Sequence, residues 1–302
     1  MLLPVIVSFA VVGLGWLARE LKVLGPGAEK PFNDYLYYFA MPALILDKMT
    51  TAGLSGTDWR LVAANALPAI MVLLIVVGLW KAGALRVKLA GELLVTAAFG
   101  NTVYLGFPVV ALRLGSPAVA LAAAVTSVHY FVVFTLGIPA ACWAAGRRGR
   151  GLARTMLFTN SILWSSLAGA ALSFFGSRLP RPLDDVAALV GSSTAPLALF
   201  AVGAFLNGKR IGRDIGSLAA MSLGKLLVFP ALAAGCLRLL GVSGLEAQVS
   251  LLEAMMPLAV TNFVIAQKLG LDEELVAEAI LVSTLGAIPT LAGYDLLVRL
   301  LF

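Results

Sequence analysis

Charged side chains are scarce in this sequence. Asp, Glu, Lys and Arg make up only 13% of the 302 residues, whereas hydrophobic residues make up 60%. A soluble domain of this length would lack the polar side chains needed to cover its surface. The mean hydropathy of +0.96 points the same way. The composition therefore predicts an integral membrane protein whose main partner is the lipid bilayer.

Cysteine and histidine are also rare, which limits the chemistry that the chain could carry out. The two cysteines, Cys142 and Cys236, lie inside apolar segments without a partner at metal-like spacing, and the single histidine is His129. The sequence contains no His-Glu-x-x-His zinc motif, no paired-aspartate motif and no evident Ser–His pair for acyl transfer. We therefore expect no enzyme activity, no metal site and no cofactor.

Long apolar runs fill most of the chain. A membrane-spanning helix needs roughly 20 apolar residues, and ten segments of this sequence meet that requirement. The connections between them are too short for a second, soluble domain. We predict an all-α integral membrane protein with spans at about 2–18, 32–50, 58–80, 91–113, 117–144, 155–175, 186–207, 214–240, 246–268 and 274–300.

Basic residues alternate between the two sides of the predicted bundle. With the N-terminus outside, 14 of the 22 Lys and Arg residues fall in cytoplasmic connections, seven fall on the opposite side, and Lys225 remains inside a span. This asymmetry favours a multi-pass protein of the cell membrane with both termini outside. Met1 to Ala18 has no basic leader region, so we interpret it as the first span. Anionic lipid headgroups account for the net charge of +6 without a nucleic-acid partner.

The ten spans divide into two halves of five, residues 1–145 and 155–302, joined by a short basic linker at 146–154. Because five is odd, the second half must cross the membrane in the opposite sense to the first. Three landmarks recur in the same order at offsets of 154, 161 and 149 to 150 residues: Met41-Pro42 and Ala195-Pro196, the Glu–Asn spacing described next, and Gly137-Ile138-Pro139 and Gly286-Ala287-Ile288-Pro289. The pattern predicts an inverted repeat.

Two apolar segments contain helix-breaking residues where a span should continue. Asn101 follows Glu92 by nine positions, and Asn262 follows Glu253 by nine positions. Helix breakers accompany both pairs: Gly100, Gly106 and Pro108 in the first, and Pro257 in the second. Paired interrupted spans indicate the binding site of a secondary transporter. Half-helix N-termini and the two Asn side chains would suit a carboxylate, since they offer donors without permanent charge.

The residues around these breaks resemble a known family. The run 99–108 (FGNTVYLGFP), the stretch 254–262 (AMMPLAVTN) and the sequence 39–43 (FAMPA) are similar to those of the auxin efflux carriers. That family includes plant auxin exporters and bacterial carriers of malate and malonate, and its fold is similar to that of bile-acid sodium symporters. The resemblance implies a scaffold of spans 1, 2, 6 and 7 and a transport domain of spans 3–5 and 8–10. It is also compatible with a homodimer.

Two departures from the plant members favour a bacterial-type organic-acid carrier. Asn65 is an amide where plant members place a carboxylate, which removes a protonatable group from that position. The linker 146–154 is a short basic turn where the plant exporters carry a long hydrophilic loop. The signalling functions associated with that loop therefore have no counterpart here, although auxin itself would still fit a carboxylate site flanked by aromatic residues.

Four further residues are candidates for the site, each with two interpretations. Lys225, near the middle of span eight, attracts the substrate anion or forms a structural ion pair. Glu253 is a coupling carboxylate or the partner of Lys225. His129 belongs to a proton relay or is a hydrogen-bonded packing residue. Tyr104 stacks on the substrate or only packs.

The sequence therefore predicts a secondary transporter of small organic anions that works by alternating access. We expect substrate binding by Asn101, Tyr104, Pro108, Pro257, Asn262 and Lys225, and charge balance by Asn65, Glu253 and His129. An anion channel with the same cavity and a sodium-coupled carrier like the bile-acid symporters are the alternatives. The coupling ion, H⁺ or Na⁺ if there is one, stays open.

Overall fold

The computed structural model describes residues 2–25, 27–52, 59–144, 151, 154–155, 158–208, 212 and 214–301. Across these ranges the chain is helical and contains no strand, with one isolated antiparallel bridge between Gly100 and Leu258. Six described helices are long and apolar enough to cross a membrane: Leu3–Glu20, Trp59–Lys81, Ala118–Ala144, Arg181–Leu206, Ile215–Leu239 and Glu273–Ala292. The predicted all-α, multi-pass membrane protein is confirmed, whereas the ten-span inverted repeat stays a prediction.

The described α-helices follow the predicted spans closely. Their bounds are Leu2–Glu20, Glu29–Tyr35, Met41–Ala52, Trp59–Lys81, Val87–Thr96, Phe107–Leu114, Ala118–Val132, Ile138–Ala144, Ser161–Phe174, Arg181–Ser192, Thr194–Leu206, Ile215–Leu223, Phe229–Leu239, Gly244–Ala254, Thr261–Leu269, Glu273–Ala292 and Tyr294–Leu301. Four π-helical turns join pairs of them: Leu36–Ala40, Thr102–Gly106, Val133–Gly137 and Gly224–Val228.

The two largest differences between predicted and observed helix starts have local reasons. The sixth helical region begins at Ser161 and not at 155, because the Asn160 side chain accepts a hydrogen bond from the Leu163 N–H and caps the helix. The seventh region begins at Arg181 and not at 186, because Pro182 lies in its first turn, where its fixed φ favours helix initiation. The linker at 146–154 lies outside the described residues apart from 151 and 154.

Each π turn is followed by a helix with proline at its second position. The prolines concerned are Pro42, Pro108, Pro139 and Pro230. Proline has no N–H, and its ring would clash with the carbonyl four residues earlier in a regular α-helix. A π turn is a local bulge that relieves this conflict while the helix continues. These prolines therefore bulge their segments and do not interrupt them.

The helical structure is interrupted at two places. Residues 97–101 follow helix Val87–Thr96, and residues 255–260 follow helix Gly244–Ala254. Pro257 lies inside the second interruption, as the sequence predicted. Pro108 does not lie in the first, since it follows the π turn Thr102–Gly106 and is seven residues beyond Asn101. The prediction that Pro108 breaks its span near the site is therefore wrong.

The chain divides into two compact units. The first contains residues 1–58, 102–127 and 160–208, and the second contains residues 59–101, 128–159 and 209–302. Most of the helices in predicted spans one, two, six and seven fall in the first unit. Predicted spans four and five are divided between the units. The assignment of scaffold and transport domain, the repeat boundaries, the homodimer and the likeness to bile-acid symporters stay predictions.

Within the first unit, helices Leu2–Glu20 and Thr194–Leu206 cross with their backbones almost in contact. A Cβ atom built on Gly203 would lie 1.8 Å from the Val12 carbonyl oxygen, and one on Gly15 would lie 2.0 Å from the Phe200 carbonyl oxygen. Small residues that allow such close approach are the usual basis of helix association in membranes, where lipid tails remove the hydrophobic driving force. The two glycines therefore allow this close contact between the two helices.

Within the second unit, contacts tie the interrupted segments to neighbouring helices. Helix Gly244–Ala254 packs against Phe229–Leu239, and Val87–Thr96 packs against Ile138–Ala144. A Cβ atom on Gly137 would lie 2.6 Å from the Leu94 carbonyl oxygen, so this second contact also depends on a glycine. These neighbours hold the two interruptions in place, and the candidate site is built on them.

Candidate functional site

The two interruptions pair with each other through their main chains. The Asn101 N–H donates to the Pro257 carbonyl oxygen over 2.7 Å, and the Ala259 N–H donates to the Phe99 carbonyl oxygen over 3.2 Å. Gly100 and Leu258 form the antiparallel bridge between these bonds. Non-helical backbone at membrane depth needs partners for its polar groups. Each interruption supplies partners for the other, which explains how two breaks can be buried together.

Side chains complete the crossing. The Asn262 amide donates to the Phe99 carbonyl oxygen over 3.0 Å, so that oxygen accepts two hydrogen bonds. The Leu258 N–H donates to the Ser283 hydroxyl oxygen over 3.1 Å, and Ser283 is fully buried. We call residues 97–101 and 255–262 with these bonds the crossing. Asn262 therefore positions the crossing, with its Oδ1 atom left as a buried acceptor that has no partner in the described chain.

Asn101 presents the free donor of the crossing. Its side chain is 2% exposed, and its Nδ2 atom has no hydrogen-bond acceptor among the residues that the structure describes. A buried amide N–H without an acceptor costs about 1–3 kcal/mol. A ligand with an acceptor oxygen would remove that cost, which makes this atom the clearest indication of a ligand in the second unit.

The main chain offers fewer donors than the sequence suggested. The N–H groups of 101, 258, 259, 262 and 263 all donate to protein acceptors. These five N–H groups therefore serve the structure of the crossing and are not free to bind an anion. The expectation that half-helix N-termini hold the substrate stays a prediction.

Lys225 lies against the crossing and is fully buried. Its ammonium group donates to the Ala254 carbonyl oxygen over 2.6 Å and lies 4.6 Å from the centroid of the Phe229 ring. Ala254 ends helix Gly244–Ala254, where carbonyl groups lack helical partners and the helix dipole is negative. The lysine thus neutralises the end of a half-helix. The structure thus places the lysine nitrogen at the crossing and against a carbonyl oxygen, while the choice between anion attraction and a structural ion pair stays open.

Gly100 makes room for that charge. A Cβ atom at position 100 would lie 2.9 Å from Lys225 Cε, 3.1 Å from Nζ and 3.4 Å from the Met256 carbonyl oxygen. Any larger residue would compete with the lysine for space. The glycine of the Gly-Asn pair therefore places the ammonium group directly beside the first interruption.

Glu253 lies one residue before Ala254 and is also fully buried. Neither carboxylate oxygen has a hydrogen-bond donor in the described part of the chain. Lys225 acts on Glu253 electrostatically, although the lysine's hydrogen bond goes to Ala254. Glu253 and Lys225 therefore interact through charge and not through a hydrogen bond, and both interpretations of Glu253 stay open.

Asn65, on helix Trp59–Lys81, contacts the helix that carries Glu253. Its side-chain amide donates to the Leu61 carbonyl oxygen and to the Ser250 hydroxyl, each over 2.9 Å. Ser250 precedes Glu253 by three residues, which places both on the same face of helix Gly244–Ala254. Asn65 therefore ties helix Trp59–Lys81 to the face that carries Glu253.

His129 packs near the same lysine without a hydrogen bond. Its ring is edge-on to Phe229 at 5.4 Å between centroids, and neither ring nitrogen has a partner within the described ranges. The side chain is 1% exposed. The expected hydrogen-bonded packing role is therefore only half right, since the residue packs but its nitrogens stay free.

Tyr104 and Pro108 belong to the first unit, whereas the residues described above belong to the second. Tyr104 is 9% exposed and lies in the π turn Thr102–Gly106. The structure therefore brings seven of the nine predicted site residues into the second unit: Asn65, Asn101, His129, Lys225, Glu253, Pro257 and Asn262.

Three residues of this region were missed from the sequence: Phe99, Ser250 and Ser283. Phe99 is stacked on Tyr130 at 4.5 Å between ring centroids, and its carbonyl oxygen is the double acceptor of the crossing. A serine in an apolar helix is common, because it also satisfies local carbonyls. No local pattern distinguishes Ser250 or Ser283 from such a serine.

A separate cavity of about 140 Å³ is lined by residues of the second unit, among them Arg86, Asp214 and Glu278. Glu92 lines it, and its Oε1 atom accepts a hydrogen bond from the Asp272 N–H over 3.3 Å. Lys88 donates to Asp272 Oδ2 over 2.6 Å beside it. The Glu92 side chain is buried at the wall of this cavity.

The sequence matches a protein-family model described as "Membrane transport protein" over residues 1–145 and 152–294. A protein of Rhizobium meliloti (strain 1021), named "Putative malonate transporter", is 29% identical over 96% of this chain and 93% of its own length. An "Uncharacterized transporter" of Methanothermobacter thermautotrophicus is 29% identical over 91% of each chain. The "Probable auxin efflux carrier component 5a" of Oryza sativa subsp. japonica is 25% identical over 53% of this chain and 38% of its own.

Proposed function

The chain belongs to the membrane transport protein family, and from this premise we propose that it is a secondary transporter that carries small carboxylates by alternating access. The resemblance to the auxin efflux carriers is confirmed, and the family contains transporters and not enzymes. The substrate class, the site and the mechanism are the proposal.

The observation that carries the substrate class is the free amide donor of Asn101. This donor is buried in a non-helical stretch. The preceding residue is Gly100, and a Cβ atom there would lie 2.9 Å from Lys225 Cε. A neutral donor beside a fixed ammonium group suits a carboxylate, because the anion gains a hydrogen bond and a charge interaction together. The names of two relatives refer to malonate and to auxin, and both compounds carry a carboxylate.

The site would bind an anion without trapping it. Lys225 already donates to the Ala254 carbonyl, so an incoming carboxylate would share the lysine's charge and not gain a full ion pair. A buried pair of complete opposite charges would be costly to separate at each transport step. A shared charge favours release on the far side of the membrane, as a carrier requires.

Alternating access is supported by the family and by the interrupted segments. Transporters bind substrates where half-helices meet near the middle of the bilayer, and they move one bundle against another around that site. Here two interruptions form the crossing, and its main-chain hydrogen bonds make it a unit that would move as one body.

The test is uptake of radiolabelled malonate, malate and indole-3-acetate into liposomes that contain the purified protein. We expect saturable uptake of at least one acid and exchange against unlabelled acid trapped inside. Protein-free liposomes correct for passive entry of the protonated acids. Flux that rises linearly with concentration and shows no exchange would indicate a pore and contradict the proposal.

Asn101→Leu tests the site itself. The variant keeps the main-chain bond to Pro257 but removes the side-chain donor, so we expect the apparent affinity to fall by about tenfold or more. Asn207→Leu is the matched control, because that amide donates to the Glu20 carboxylate within the first unit and is not one of the residues that form the crossing. Unchanged kinetics in Asn101→Leu would place the substrate elsewhere.

A further inference from the structure

We propose that Glu253 is the proton-binding site that couples transport to the proton gradient. This inference rests on the proposed function, because it assigns the coupling ion to the site described above. Glu253 is fully buried at the crossing, and the proposed substrate contacts do not use it. A buried ionisable group within a membrane span is unusual unless it has a task.

The position of Glu253 opposes its charge. It lies in the last turn of helix Gly244–Ala254, where the helix dipole is negative and disfavours a carboxylate. Burial without a hydrogen-bond donor to either oxygen disfavours the anion further. A protonated carboxyl group is neutral and avoids both costs.

Lys225 acts in the opposite direction. Its ammonium group interacts electrostatically with Glu253 and favours the carboxylate, although its hydrogen bond goes to the Ala254 carbonyl oxygen. His129 is the other titratable group near this lysine, and both contact the Phe229 ring. Glu253 is thus held between opposing influences, and its proton affinity responds to any new charge near Lys225.

A bound substrate is such a charge. In the proposed cycle the influence of Lys225 prevails in the empty site, so that the Lys225 ammonium and the Glu253 carboxylate sum to zero. When a monovalent anion binds beside Lys225, the sum becomes negative, and Glu253 then takes up one proton from the same aqueous side to form a neutral carboxyl group. The proton leaves with the substrate on the opposite side. Because linkage is reciprocal, protonation of Glu253 strengthens anion binding by the factor with which the anion strengthens proton binding.

The first measurement uses wild-type proteoliposomes with a pH indicator dye trapped inside. Adding malonate outside, without an imposed gradient, should acidify the lumen as the acid enters, and an imposed inward proton gradient should drive accumulation. One proton carried with each anion permits about tenfold accumulation of the anion per pH unit at zero membrane potential. Uptake without lumen acidification would overturn the inference while leaving the proposed function intact. Absence of all uptake would overturn both.

Glu253→Gln identifies the site of coupling. The amide has the same shape but does not titrate, so gradient-driven accumulation should fall to the level seen without a gradient, while exchange of internal and external malonate continues. Glu246→Gln on the same helix is the matched control, since that side chain is only half-buried. It should retain gradient-driven accumulation.

Sodium is the competing coupling ion, and the same preparation tests it. An inward sodium gradient at equal pH on both sides should leave uptake unchanged. Stimulation by sodium that is lost in Glu253→Gln would overturn the proton assignment. Full proton-driven accumulation in Glu253→Gln would show that the proton binds elsewhere and would also overturn it.

Discussion

The side-chain amide of Asn262 donates a hydrogen bond to the Phe99 carbonyl oxygen across 163 positions of sequence. The bond joins the two interruptions at the point where the Phe99 oxygen also accepts the Ala259 N–H. The residue that the sequence singled out as a substrate ligand thus serves first to hold the crossing together. Its partner is a main-chain atom, which no sequence motif records.

Asn262→Ala should destabilise the protein. The substitution removes one buried hydrogen bond, at a cost of about 1 kcal/mol, while the Phe99 oxygen keeps the bond from the Ala259 N–H. We expect a lower unfolding temperature in detergent and a reduced number of transport-competent molecules. Differential scanning fluorimetry on the purified protein measures the shift, and Asn207→Ala serves as the control.

Asn262→Asp tests the hydrogen-bond donor alone, because the side-chain volume at this position hardly changes. The carboxylate occupies nearly the same space but places an acceptor against the Phe99 carbonyl, so it should destabilise at least as much as Asn262→Ala. Stability equal to wild type in Asn262→Asp would contradict the proposed hydrogen bond.

Gly100→Ala should displace Lys225. The new Cβ would lie 2.9 Å from Lys225 Cε and 3.1 Å from its Nζ, so the lysine must leave the Ala254 carbonyl oxygen or the crossing must shift. We expect the transport rate to fall by about tenfold or more, because the charge at the crossing would move. Uptake assays in proteoliposomes measure the loss.

Gly235→Ala is the matched control for this change, since nothing lies within 4 Å of a Cβ at that position. Combining Gly100→Ala with Lys225→Ala gives a further check. The double variant should be no slower than Lys225→Ala alone, because the two changes act on one contact and their effects do not add. Additive losses would show that Gly100 acts independently of the lysine.

Gly203→Ala should disrupt the first unit. Its Cβ would meet the Val12 carbonyl oxygen at 1.8 Å, and a backbone atom cannot move aside as a flexible side chain can. Overpacking of this kind costs about 1–3 kcal/mol or more. Thermal unfolding and expression level report the effect.

Gly13→Ala, on the partner helix, offers the comparison, because nothing lies within 4 Å of a Cβ there. It should be neutral or slightly stabilising, since alanine restricts the unfolded chain more than glycine does. Equal destabilisation by both variants would argue against the tight helix crossing.

The Lys88–Asp272 ion pair should make stability depend on pH. The Lys88 hydrogen bond holds the pKa of Asp272 below its usual 3.8, and the same bond raises the pKa of Lys88 above 10.5. The carboxylate contributes its stability above its ordinary pKa and loses it as pH falls through the lowered value. The lysine contributes below its ordinary pKa and loses its share as pH rises through the raised value. The pair is therefore complete between about pH 4 and pH 10.

Lys88→Met and Asp272→Asn distinguish this pair from the helix cap. Lys88 is 66% exposed, so its removal should cost less than about 1 kcal/mol. Asp272 also caps helix Glu273–Ala292 by accepting from the Leu275 N–H, so its removal should cost more. Unfolding curves at pH 7 measure both, and an equal effect of the two variants would contradict the capping role.

Much of the fold followed from local properties of the sequence. Apolar runs predicted the helical regions, and Gly100, Asn101, Pro257 and Asn262 marked the interrupted segments. The role of Pro108 was misjudged, because a proline can break a helix or follow a π turn, and the choice depends on packing around the segment. The start of the seventh region was misplaced because its first turn is polar and carries no apolar signal.

The sequence by itself determined that this chain is a membrane protein of a transporter family, with two interrupted segments and buried polar residues near them. Composition and spacing suffice for that, because hydropathy and helix breaking act over a few neighbouring residues. Only the tertiary structure decided that Lys225 caps Ala254, that Ser283 holds Leu258, that Asn262 binds Phe99 and that Asn65 binds Ser250. These contacts join residues 29, 25, 163 and 185 positions apart, and a hydrogen bond forms between atoms that packing brings within 3 Å or so, whatever their separation along the chain.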